Sequence, residues 1–124
     1  MAARARKPVF TENFVNNLES ILLFLEPEGA DAFQHLLARI SDDIVPTLCR
    51  FPQSGRSFLA HPVRSLEAQA LIKQLKRLLR KGDDLREFVL DDYLILYLLR
   101  GNQVIFLSIK HHRQLSFDFR NIWP

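Results

Sequence analysis

The sequence is poor in the features that would mark a disulfide scaffold, a membrane span or a metal centre. Its one cysteine, Cys49, excludes an internal disulfide. Cys49 lies among apolar neighbours, where a small buried hydrophobe is the usual role, and this suits a reducing compartment. The longest apolar runs, 21–25 and 93–99, fall far short of the roughly 20 residues that a membrane-spanning helix needs. No membrane crossing is expected. The basic N-terminus (Arg4, Arg6, Lys7) is not followed by an apolar stretch of secretory length before Thr11, which argues against export and for a cytoplasmic protein. His35, His61, His111, His112 and Cys49 stand at no spacing that completes a recognised metal site, so neither metal nor other cofactor is expected. There is no internal repeat and no low-complexity segment.

The composition is globular in character. Hydrophobic residues make up 48% and charged residues 25% of 124 residues, enough for one domain spanning 1–124 with one continuous core. The net charge is only +3, but it is unevenly placed: positions 46–82 hold eight basic residues (Arg50, Arg56, Arg64, Lys73, Lys76, Arg77, Arg80, Lys81) against one acid, Glu67.

Hydrophobic period divides the chain into blocks. Thr11 reads as an N-cap, and Phe14, Leu18, Ile21, Leu22 and Leu25 follow at helical spacing until Pro27. A second set, Phe33, Leu37, Ile40, Ile44 and Leu48, follows a short turn, so a helical hairpin is predicted over about 12–48. Pro46 predicts a kink or break near its end, because proline lacks a donor and crowds the preceding turn. Residues 50–56 and the stretch to His61-Pro62 read as loop.

A further amphipathic helix is predicted over about 65–81, with Ser65 as its cap and Gly82 at its left-handed end. Ala68, Leu71, Ile72, Leu75, Leu78 and Leu79 lie on one side of it and Lys73, Lys76, Arg77, Arg80 and Lys81 on the other. From about 85 to 110 the period shortens to strands, with hairpin turns at Asp91-Asp92 and Arg100-Gly101-Asn102. The middle run, YLILYLL, is apolar at both parities and therefore reads as a central strand covered on both faces. A short strand at 8–10 and a segment at 114–119 are candidates to extend the sheet. The fold class is α+β, a helical hairpin packed on a small antiparallel sheet, with an additional amphipathic helix before the sheet.

Four segments in this order, LCRFPQSGR (48–56), LREF (85–88), YLILY (93–97) and IKHHRQ (109–114), resemble the RelE/ParE toxin superfamily, most closely its ParE branch. The resemblance covers about residues 8–119 and departs at 57–84, where a typical member has a much shorter link. It implies the toxin of a type II toxin-antitoxin system, with a role in plasmid stabilisation. It further implies a ParE-like chain that poisons DNA gyrase by binding and is neutralised by a cognate antitoxin. The alternative is a ribosome-dependent messenger endoribonuclease of the RelE type, whose partners are the ribosome and mRNA. A dimer and a toxin-antitoxin hetero-oligomer are both open.

Under the ribonuclease reading the catalytic candidates are Arg86, Tyr93 or Tyr97, His111, His112 and Arg113, since arginine can neutralise a phosphorane and histidine titrates near neutrality. Glu87 cannot serve with Arg86, because adjacent strand residues face opposite ways. Under the ParE reading no catalytic residue is expected, and the target-binding candidates are Arg86, Lys110, His111, Arg113, Phe117, Phe119 and Trp123. The basic face of Lys73, Lys76, Arg77, Arg80 and Lys81 reads either as an ordinary solvated helix face or as a surface for phosphates or an acidic partner.

Overall fold

The first helix starts where Thr11 stops the chain from continuing as a strand. Strand β1 (Lys7–Phe10) ends, and the Thr11 hydroxyl accepts the Phe14 N–H at 3.1 Å, capping helix α1 (Glu12–Leu25). The same hydroxyl, 2% exposed with its residue, lies 3.0 Å from the Phe106 carbonyl and ties the helix start to the sheet. In the computed structural model, residues 5–25, 29–58, 73 and 76–111 are described. Ser65, most of the helix expected over 65–81, the segment 114–119, and His112, Arg113, Phe117, Phe119 and Trp123 lie outside these residues.

Helix α1 buries Phe14, Ile21 and Leu25, whereas Leu22, expected in the core, is exposed because it stands about 100° around the helix from Ile21. Helix α2 (Ala30–Arg39), a π turn (Ile40–Ile44) and helix α3 (Val45–Arg50) run on without interruption. The irregularity expected at Pro46 takes the form of that π turn. Val45 N–H bonds back to Ile40, five residues away, and the widened backbone accommodates the proline next in the chain. It also keeps Leu36, Ile40, Ile44 and Leu48 on one face, since a spacing of four outruns the α period of about 3.6.

A five-stranded sheet is formed by the described residues, in the order β1-β5-β4-β3-β2. Strands β3 (Asp84–Leu90), β4 (Tyr93–Arg100) and β5 (Gln103–His111) form the expected meander, with β4 in the centre. Each hairpin turns on two residues, and the first of each pair, Asp91 (φ 50°) and Gly101 (φ 58°), takes the left-handed conformation such turns demand. Two features correct the expected all-antiparallel sheet. Strand β1 pairs parallel with β5 at one edge, and Arg56–Ser57, expected as loop, forms a short strand β2 antiparallel to β3 at the other.

Both faces of β4 are covered. Ile95, Tyr97 and Leu99 pack with α1, α2 and α3, and Leu96 and Leu98 join Leu85, Ile105 and Leu107 in a second cluster that Val9, Phe58 and Leu79 cover. Strand β5 carries a bulge: Leu96 pairs with Ser108 and Tyr97 with Phe106, which leaves Leu107 unmatched. Strand β1 reaches only as far as Phe106, and beyond it α1 takes over the exposed edge. Asn13 Nδ2 donates to the Leu107 carbonyl at 2.8 Å, and the Ile109 N–H donates to Asn17 Oδ1 at 3.1 Å.

Candidate functional site

The FPQSGR segment is held against the sheet by two strand residues directly across from one another, Arg86 of β3 and Tyr97 of β4. A 3-10 turn (Pro52–Ser54) folds the segment over them. The Tyr97 hydroxyl donates to the Pro52 carbonyl at 2.6 Å and accepts the Gly55 N–H at 3.0 Å. Its burial pushes the phenol above its usual pKa, so it remains a neutral donor. Arg86 spans the same loop, with Nη1 donating to the Gly55 carbonyl at 2.6 Å and Nε to Asp84 at 2.8 Å. Loop closure therefore occupies the guanidinium and the phenol together.

Glu87 points the other way, as strand alternation requires, and accepts from Arg56 Nε at 2.7 Å. At the far end of the same face as Arg86, His111 lies buried against Tyr93 and Phe24, with ring centroids 5.0 and 4.9 Å away. The Tyr93 ring is nearly perpendicular to the imidazole, at 84°. A cleft of about 220 Å³ opens beside them, lined in part by His35, Arg39, Asp91 and Asp92. Arg39 spans from α2 to the hairpin tip and meets Asp91 at 2.6 Å, an exposed pair of small energetic weight.

The candidates named from sequence thus fall into separate places. Tyr93 and His111 are register partners and do meet. Arg86 is not with them: it sits opposite Tyr97, four residues along β4 from Tyr93 or about 13 Å, with the buried Ile95 between. Lys110 is half-buried and, by alternation, faces away from His111. Lys73, Lys76, Arg77, Arg80 and Lys81 are all exposed. Helical geometry is found at Lys73 and over 76–78, short of the expected end at 81. Gly82 (φ 88°) serves a turn closed by the Asp83 N–H to the Arg80 carbonyl at 3.0 Å.

Several residues that matter here gave no signal of a role in the sequence. Asp83 receives Arg100 through two nitrogens, at 3.0 and 2.7 Å, and its side chain is 2% exposed. The hydrogen bond from Arg100 holds its carboxyl below the usual range, a backbone hydrogen bond from Arg80 assists, and burial works against both. Asn13 and Asn17, which the hydrophobic period of α1 passes over, secure β5. The Cys49 thiol is pushed up by burial, away from the reactive thiolate. Among the described residues no cluster of three or more His, Cys, Asp or Glu is placed to hold a metal, and no helix is long and apolar enough to cross a membrane.

Among the described residues, an Arg that closes a loop and a His-Tyr pair about 13 Å distant do not compose one acid-base centre. No curated protein matches the chain. The family model for the ParE toxin of the type II toxin-antitoxin system, parDE, matches residues 9–116, from β1 past the end of β5. A match of that extent takes in the hairpin, the FPQSGR loop, the additional segment before the sheet and the meander, and the chain belongs to the ParE toxin family of type II toxin-antitoxin systems.

Proposed function

We propose that this ParE-family chain poisons DNA gyrase by binding it and stabilising its cleaved-DNA state, and that a cognate antitoxin neutralises it in the cytoplasm. The family match over residues 9–116 carries this reading. The separation of Arg86 from His111 and Tyr93 supports binding rather than RNA cleavage. So does the engagement of Arg86 and Tyr97 in holding the loop. The target-facing groups are the end of β5 and the residues C-terminal to it, with Lys110, Arg113, Phe117, Phe119 and Trp123 as the residues to test. The antitoxin lays an amphipathic segment on the helical hairpin, where Val15, Leu22, Leu23 and Phe24 of α1 are exposed, Leu23 by 69%.

Titrating the purified chain into a plasmid supercoiling reaction with purified gyrase tests this reading. Supercoiling falls with dose if it holds, and an added antitoxin restores it. Supercoiling unchanged at high molar excess of folded protein overturns it.

A further inference from the structure

Residues 73–81 hold five cations and no acid. Lys73, Lys76 and Arg77 are helical and stand at i, i+3 and i+4, which places them on one face, and Arg80 and Lys81 continue the strip into the turn. All five are exposed, and among the described residues none of them forms an ion pair. The acids that follow the strip in sequence have arginine partners outside it: Asp83 pairs with Arg100 at 2.7 Å and Asp84 with Arg86 at 2.8 Å. Among the described residues, the field of Lys73, Lys76, Arg77 and Lys81 is therefore not cancelled by a paired acid, and only Arg80 shares the field of Asp83.

The strip is also anchored. Leu79 packs on the second hydrophobic cluster of the sheet, and the Arg80 N–H donates to Asp83 Oδ2 at 2.7 Å, so the charges are fixed to the strand that Asp83 precedes. The composition decides the partner. Protein interfaces favour aromatic residues and are depleted in lysine, and this strip offers exposed Leu78 as its one large apolar side chain among its described positions. It has no aromatic residue for stacking on unpaired bases. Regularly spaced cations without apolar or aromatic anchors suit the phosphate backbone of a duplex, where binding is driven by counterion release.

We infer that the strip formed by Lys73, Lys76, Arg77, Arg80 and Lys81 binds the phosphate backbone of duplex DNA, without sequence preference. This goes beyond the gyrase reading and does not require gyrase. The test is fluorescence anisotropy of a labelled duplex of mixed sequence with the purified chain alone, between 50 and 200 mM KCl. Five phosphate contacts give a slope of about −4.5 in log affinity against log salt, roughly a 500-fold loss across that range. The triple variant Lys73→Gln/Lys76→Gln/Arg77→Gln retains two, with a slope of about −2 and roughly a tenfold loss. Because the three side chains are exposed, its circular dichroism and melting match the parent. The inference is overturned by absence of binding at 50 mM, by an unchanged slope in the folded variant, or by equal affinity for a polyglutamate of the same charge. Supercoiling inhibition is scored separately, so failure here leaves the gyrase reading standing.

Discussion

Gly55 has an ordinary extended backbone (φ −80°, ψ 164°), so what requires glycine there is space. A Cβ at this position would stand 2.5 Å from the Tyr97 hydroxyl and would also strike the Glu87 carbonyl, neither of which can give way without opening the loop. Gly55→Ala is expected to lower stability by about 1–3 kcal/mol, the usual cost of overpacking. Tyr97→Phe is expected to cost a similar ~1–3 kcal/mol, because it leaves the Pro52 carbonyl and Gly55 N–H without their partner. Urea denaturation of both variants checks this, and parental midpoints would show that the loop is not held as described. Asp83 gives a pH dependence of definite sign. Its folded pKa is depressed, so its contribution to stability is present above about pH 3.9, the unfolded value, and is lost as pH falls through the folded value. Melting temperatures followed downward from pH 5 should fall more steeply in the parent than in Asp83→Asn.

Elements were legible where their pattern was long and regular. Helix α1 begins at its predicted cap, and YLILYLL is the central strand because residues of both parities find cover. The two-residue strand β2 carries no period to read. The parallel pairing of β1 rests on a contact nearly 100 positions away in sequence, which local pattern does not encode. The π turn shows in the four-residue spacing of Leu36, Ile40, Ile44 and Leu48, a clue that only Pro46 made conspicuous. Site residues were less legible than elements. Alternation correctly parts Arg86 from Glu87, but nothing in LREF says that Arg86 serves the loop. The roles of Asn13 and Asn17 depend on where β1 stops along β5, which no turn residue announces. Asn17→Ala is expected to raise the hydrogen-exchange rate of the Ile109 amide by about fivefold, as one such hydrogen bond is worth roughly 1 kcal/mol, while amides between β3 and β4 keep their protection. Unchanged exchange at Ile109 would mean that α1 does not secure the edge.

At the scale of the whole molecule the chain is a sheet covered on both faces. Helices α1, α2 and α3 lie on one side, and Val9, Phe58 and Leu79 help to cover the other. Among the described residues, the outer surface of α1 and the basic strip are exposed. In the proposed readings the antitoxin takes the outer surface of α1, gyrase the end of β5 and a DNA duplex the basic strip. A nuclease would require convergent groups at one point. The most direct measurement is the amount of linear plasmid that gyrase releases on detergent and protease treatment, with and without this chain. The account predicts that linear DNA accumulates with dose as supercoiling is lost. Complete supercoiling without linear DNA, from a folded sample that arrests growth when induced, would contradict it.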